Sequence, residues 1–292
     1  MSDGPHTVDV SSWVSRAAGD PVAHRQRQVI EVILNAIALT APLNTGLYLK
    51  GGILLGLAYG SARQTMDIDF TATLPVDDEI DAWIRDRLNT AFPRAAAALG
   101  YADLVVRAQS VKRLPGQNRF ASAAFPALKI RIAHAHRGSN EERALREGGA
   151  SSVVDVDVSF NEPLRHVQIL RLTGGGELLS YGLIEIAAEK YRALLQQKVR
   201  NRNRRQDVYD LDMLIRGGMM NQIDPGEFLD ALVEKCAARR IEAHRESFDD
   251  AEIKRRAGRD WASMKLELED LPDFEDCYEK VSAYYRSLPW ED

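Results

Sequence analysis

Two aspartates one residue apart, Asp67 and Asp69, carry the clearest chemical signal in the chain. On a strand, residues i and i+2 share a face. A strand over Met66–Phe70 therefore points both carboxylates one way and turns Met66, Ile68 and Phe70 to the core. Like charges held this close repel, and proteins seldom place them so without a cation or base between them. Upstream lies Tyr48-Leu49-Lys50-Gly51-Gly52, in which the Gly51–Gly52 pair lets the backbone turn tightly and approach a ligand. Ile53 to Tyr59 reads as a buried helix that Gly60-Ser61 ends. The order strand, glycine pair, helix, Asp-x-Asp suits a triphosphate held over Mg²⁺, with helix N-terminal amides facing the phosphates. Ser61 and Thr65 flank the acidic pair, where they either hydrogen-bond phosphate or cap and turn the chain.

A second acidic strand reads from Val153 to Phe160. Its valines and Phe160 face one way, and Asp155, Asp157 and Ser159 face the other. Beside the first strand it would bring a third carboxylate to the same cation, from either Asp155 or Asp157. Lys198, Arg200, Arg202, Arg204 and Arg205 crowd into eight residues with Asn201 and Asn203 between them. Such a run is either a solvated face or a site for an RNA backbone. His134 and His136 fall on or just after a strand without further metal-ligand partners and read as surface or core histidines.

The elements that must position these groups follow from periodicity. Val29, Ile30, Val32, Ile33, Ala36 and Ile37 recur at helical spacing, so a helix over 26–39 precedes the glycine motif. A helix runs from Asp77-Asp78 through Leu88, and a second, alanine-rich piece from Pro93 to Leu99. Strands are expected at 104–107, 127–133 and 153–160, with the charged stretch from Gly138 to Gly149 as an exposed connection. Past the turn at Gly174-Gly175-Gly176 the chain reads as wholly helical, with segments at 183–197, 207–216, 225–243, 249–268 and 274–288. We expect a polar arm over 1–22, an α/β lobe over 23–176 and a helical lobe over 177–292.

The chain has 292 residues, 45% apolar and 28% charged, enough for one large domain or two lobes. The net charge of −5 excludes a generally basic nucleic-acid binder, so any RNA contact must use a local patch. Two distant cysteines, Cys236 and Cys277, fit a reducing compartment. No signal peptide or bilayer-spanning run is evident, which points to a cytoplasmic protein without a membrane partner. Oligomeric state is not legible.

Lys50-Gly51-Gly52, followed by Gly60-Ser61-x-Arg63-x-Thr65-x-Asp67-x-Asp69, resembles the first motif of AbiEii/AbiGii-type nucleotidyltransferases. These are toxins of abortive-infection toxin–antitoxin pairs, which act in phage defence and belong to the DNA-polymerase-β-like superfamily. The resemblance covers roughly residues 45–215. It implies an α/β (α+β) fold, a mixed-sheet nucleotidyltransferase lobe followed by a helical lobe. It places the third metal-binding acid at Asp157, with Asp155 the competing assignment. Ile184-Glu185-Ile186-Ala187-Ala188-Glu189-Lys190 resembles the family's lysine helix, and Asp207-Val208-Tyr209-Asp210-Leu211 its Arg-Asp-x-x-Asp-Leu motif, with Gln206 where arginine is more usual. Lys190 would then contact the phosphates, and Asp207 and Asp210 would hold Lys190 or touch the nucleotide. Gly51, Gly52, Ser61, Arg63 and Thr65 would complete the nucleotide site.

The implied reaction moves a nucleoside monophosphate from an NTP to a hydroxyl with two Mg²⁺ ions, or Mn²⁺ in their place. The first expected acceptor is a tRNA 3′ end, the second a protein hydroxyl, and a cognate antitoxin is the implied partner. The rival readings are a non-catalytic nucleic-acid binder on the same fold and an antibiotic-modifying nucleotidyltransferase.

Overall fold

The computed structural model describes residues 6–116 and 119–291. It is mixed α/β and divides into two compact units. The first comprises the chain up to Ala58 with Thr65–Glu162 and Gln168–Ser180, and the second comprises Tyr59–Gln64, Pro163–Val167 and the chain from Tyr181 on.

In the first unit the chain runs through β1 (His6–Val8), α1 (Val10–Ser15), α2 (Pro21–Ala38), α3 (Leu43–Gly46), β2 (Leu47–Lys50), α4 (Gly51–Ala58), β3 (Ile68–Ala72) and α5 (Ile80–Ala98). It continues through β4 (Leu104–Leu114), β5 (Ala127–His136), α6 (Asn140–Arg146), β6 (Val153–Phe160), β7 (Val167–Leu172) and β8 (Glu177–Tyr181). The strands form one mixed sheet in the order β1-β7-β8-β2-β3-β6-β5-β4. β3 lies antiparallel to β2 and parallel to β6, and β5 is antiparallel to both β6 and β4. Strict alternation builds the centre of this sheet. Val154, Val156, Val158 and Phe160 are buried on one face of β6, which leaves Asp155, Asp157 and Ser159 half-buried on the other. α2 starts where Asp20 accepts the amides of Val22 and Ala23, with Pro21 in its first turn.

The second unit is helical: α7 (Leu183–Leu195), α8 (Gln197–Arg200), α9 (Arg205–Arg216), α10 (Pro225–Ala238), α11 (Ala251–Gly258) and α12 (Phe274–Arg286). Its core is aromatic, with Tyr191 edge-on to Phe228 and Phe248, and Phe248 4.6 Å from Tyr285 between ring centroids. A buried Lys235–Glu185 ion pair at 2.5 Å also lies here. Glu185 Oε1 accepts the amides of Arg165 and His166, and Lys235 donates to the Pro163 carbonyl. Both thiols are buried, and burial pushes each up to about 12; Cys277 Sγ donates to Asp212 Oδ2. Among the described residues no helix is long and apolar enough to cross a membrane.

Several expectations need correction. The N-terminal arm carries β1, paired with β7, and α1, capped by Asp9. α5 is one helix through Pro93, because its buried stripe (Ile84, Leu88, Phe92, Ala95) continues across the proline and outweighs it. The connection at 138–149 contains α6, capped by Ser139, which accepts the Glu142 amide, while Glu142 reaches back to accept the Gly138 amide just before the cap. β7 was not foreseen, and β8 occupies the start of the stretch read as helical. The last helical segments are shorter, with 249–268 split into α11 and a 3₁₀ turn at Trp261–Leu266. Asp67 and Met66 precede β3 rather than lying in it, and Met66 is exposed instead of facing the core.

Candidate active site

The sheet register assembles the first cluster, within the first unit. Asp69 lies directly opposite Asp157 on β6 and opposite Lys50 on β2, while Asp157 lies opposite Lys129 on β5. Directly opposed residues share a face, so one row across four strands reads Lys50, Asp69, Asp157, Lys129. Two carboxylates are thus flanked by two ammonium groups. Lys50 is buried, donates to Ser159 Oγ at 2.9 Å and lies 3.9 Å from Glu162 Oε1; Ser159 Oγ donates on to the Phe70 carbonyl. Lys129 Nζ is 3.2 Å from Asp155 Oδ2, and Arg131 Nε is 3.9 Å from Asp155 Oδ1. The register sets Asp157 beside Asp69, while Asp155 is taken up by these two cations.

Burial pushes the Asp157 carboxyl above the usual range. The charges of Asp67 and Asp155 add to that shift, and Lys129 and Lys50 oppose it without cancelling it. Gly51 opens α4 at φ +74°, and a Cβ there would lie 2.2 Å from Asp69 Oδ2, so only glycine leaves that carboxylate in place.

The second cluster lies within the second unit. Lys190 on α7 is buried, with Nζ 2.6 Å from Asp210 Oδ2 and 3.1 Å from Asp207 Oδ1. Asp207 and Asp210 stand three apart on α9 and so share a helical face, fixed by burial of Val208, Leu211 and Leu214. Arg63 grips Asp210 with two parallel bonds of 3.2 Å and reaches Glu267 at 3.3 Å with its remaining nitrogen. Glu267 also accepts from Gln206, and its carbonyl accepts the Gln64 amide. Burial alone would raise Asp210, but Lys190 and Arg63 reverse this and hold it below the ordinary carboxylate range. Burial likewise opposes the Lys190 charge, and Asp210 and Asp207 more than compensate, so its pKa is raised. Ser61 Oγ accepts the Arg63 amide, the turn-forming alternative for that serine.

Residues 32–280 match the family described as nucleotidyl transferase AbiEii toxin, type IV toxin–antitoxin system. The chain belongs to the AbiEii toxin family. As an AbiEii protein it is a nucleotidyltransferase, and a type IV toxin–antitoxin system implies an antitoxin partner. Two solved structures share the AbiEii chain's fold. JHP933 from Helicobacter pylori is 14% identical, with 92% of each chain covered and a TM-score of 0.54. MenT4, a nucleotidyltransferase toxin from Mycobacterium tuberculosis H37Rv, is 18% identical, with 95% of this chain and 89% of that chain covered and a TM-score of 0.59. Among the curated proteins none matches the sequence.

The AbiEii carboxylates fit a hard divalent cation by donor type and by the clearance Gly51 keeps at Asp69. Among the described residues no three ligating side chains already form a ready-made metal cage. Arg200 and Arg202 are exposed, Lys198 pairs with Asp250 at 3.1 Å, and Arg204 and Arg205 are half-buried, Arg204 lying 3.8 Å from Asp207. Thr65 is half-buried just ahead of Asp67, Gly52 is half-buried in the first turn of α4, and His134 is buried in β5.

Three residues of these AbiEii clusters escaped the sequence reading. Lys50 was visible only as part of a glycine motif, and Lys129 as one lysine in an alternating strand. Neither role is legible without the register that sets them beside Asp69 and Asp157. Glu267 lies some two hundred residues from Arg63 in a stretch read as helix, and nothing local marks it.

Proposed function

We propose that the protein transfers a nucleoside monophosphate from an NTP to the hydroxyl of an RNA, with the 3′ end of tRNA the first acceptor. The observation that carries this reading is the in-register pair of carboxylates, Asp69 on β3 directly opposite Asp157 on β6. Asp69 and Asp157, with Asp67 ahead of β3, would hold Mg²⁺. Bound there, the ion screens the triphosphate and lowers the pKa of the attacking hydroxyl. In the transfer the acceptor oxygen bonds to the α-phosphorus, the bond to the β-phosphate oxygen breaks, pyrophosphate leaves and the hydroxyl proton passes to solvent. Gly51 keeps the turn into α4 close to Asp69 for the phosphates to approach. By the family resemblance Lys190, which Asp207 and Asp210 hold within the second unit, would oppose charge developing on the phosphates. The antitoxin would act in the cytoplasm by denying access to the NTP or the acceptor.

The test incubates the protein with each α-labelled NTP, Mg²⁺ and total tRNA. Label should appear on tRNA, should vanish with EDTA and return with Mn²⁺. It should fall by about a thousandfold or more in Asp69→Asn and Asp157→Asn, because two isosteric variants remove the cation's anionic ligands. Undiminished transfer in either folded variant overturns the reading. Label on an aminoglycoside or a protein instead of RNA keeps the chemistry and replaces the acceptor.

A further inference from the structure

The row Lys50, Asp69, Asp157, Lys129 does not stop at β5. Lys129 lies directly opposite Lys112 on β4, the edge strand, and Arg131 lies opposite Ser110. Strands are spaced about 4.8 Å apart, so Lys129 and Lys112 stand one and two spacings, about 5 and 10 Å, from Asp157 across the sheet. Arg131 stands about 7 Å from Lys129 along β5.

A fourth cation joins by way of an irregularity. Arg107 and Lys112 are an odd number of residues apart, and regular alternation would put them on opposite faces. The register shifts between Ala108 and Ser110, however, so that Arg107 opposes Ala133 while Lys112 opposes Lys129. Ala133 and Lys129 share a face of β5, so the bulge brings Arg107 onto the face of the carboxylates. The extra residue, Gln109, is pinned by accepting the Ala150 amide and donating to the Ala150 carbonyl.

The strip has defined ends. Beyond Arg107, α6 covers the same face, with Leu145 packed among Ala133, Ala135, Val105 and Val153. At the other end stand Asp157 and Asp69. Between them Arg107, Lys112 and Arg131 are exposed and Lys129 half-exposed. Asp155 pairs with Lys129 and Arg131, and Lys129 also faces the charges of Asp157 and Asp67; among the described residues Arg107 and Lys112 have no salt-bridge partner. In a chain of net charge −5 this is a local positive surface that abuts the reaction centre.

We propose that Arg107, Lys112, Lys129 and Arg131 form the seat for the phosphodiester backbone of the acceptor RNA, laid across β4 and β5 so that its terminal hydroxyl reaches Asp157. This rests on the RNA-acceptor reading above. Continuity with the carboxylate row favours an RNA over an acidic protein, because the occupant of the strip must also present the reacting group.

The test uses Arg107→Ala/Lys112→Ala, both exposed on β4 and two strands away from the Asp157 strand, with circular dichroism and melting as controls. Transfer to total tRNA should show KM for RNA raised about tenfold or more at nearly unchanged kcat. Anisotropy with labelled tRNA, titrated with salt, should show a log–log slope shallower by about 1.4, the share of two phosphate contacts on a single strand. Asp69→Asn should bind tRNA with the wild-type slope while transferring nothing. If the wild type labels RNA and the double variant matches it in KM and slope, the proposal fails and Arg107 and Lys112 are guards on an edge strand. If Lys198→Ala/Arg200→Ala/Arg202→Ala loses tRNA affinity while the strip variant does not, the RNA belongs to that run. Unchanged tRNA binding with reduced binding of polyglutamate gives the strip to an acidic protein and overturns the assignment. A wild type that labels no RNA at all brings down the acceptor reading itself.

Discussion

Gly51 shows how narrowly one position is determined. Its φ of +74° costs any residue with a Cβ about 1–2 kcal/mol, and the added methyl would meet Asp69 Oδ2 at 2.2 Å. Gly51→Ala is therefore expected to lower stability modestly and to lower transfer about a hundredfold, because a displacement of that size at a reacting carboxylate has such an effect. Urea unfolding and tRNA labelling of the same preparation check both, and a wild-type rate in the variant contradicts the geometry. The glycine pair and Asp69 were each legible as residue types near phosphate chemistry. Their mutual contact was not, since it depends on β2 and β3 pairing so that Lys50 opposes Asp69. The choice between Asp155 and Asp157 was open for the same reason, because period two assigns a face and says nothing of which residue stands opposite.

Among elements, the loop Tyr59–Gln64 is held by side chains of the second unit. Arg63 bonds Asp210 on α9 and Glu267 after the 3₁₀ turn, and Asp210 in turn holds Lys190 on α7. Arg63→Ala leaves Asp210 buried with one cation instead of two. A loss of about 3 kcal/mol is expected, the low end for breaking a buried pair because Lys190 remains. The denaturation midpoint reads it, and a change below about 1 kcal/mol would mean that the Arg63 pair contributes little. The amphipathic helices α2, α7, α9, α10 and α12 were all legible, because each keeps a buried stripe at helical spacing. β1, β7 and β8 were not. They are short, and β1 exists through pairing with a strand some 160 residues away, which no local pattern encodes. α6 did carry a readable start signal in Ser139 and Glu142, overlooked beneath its charge.

Across the whole molecule, stability should follow pH through His134. Buried in β5, its imidazole is pushed down to about 4, chiefly by burial, with the charges of Arg25 and His136 adding. Unfolded, it titrates near 6.5. Between those values the unfolded chain binds more protons, so this contribution is complete above pH 6.5 and declines as pH falls toward 4, by about 3 kcal/mol in all. Urea midpoints at pH 7.5 and 4.5 should converge in His134→Gln relative to wild type, and an identical pH dependence in both would contradict this. The net charge was equally readable from composition, and it rightly directed attention to local patches. Which patch adjoins the carboxylates only the register discloses.

The two interior sulfurs have a practical consequence. Maleimide dyes attack thiolates, and side chains held near pKa 12 with almost no exposure present neither the anion nor a path to it. The native chain should therefore stay dark in a labelling reaction. One cysteine placed at the outward-facing Leu266, 88% exposed beside the residue that clasps Arg63, would then carry the only fluorophore, a ready-made reporter of when that clasp opens.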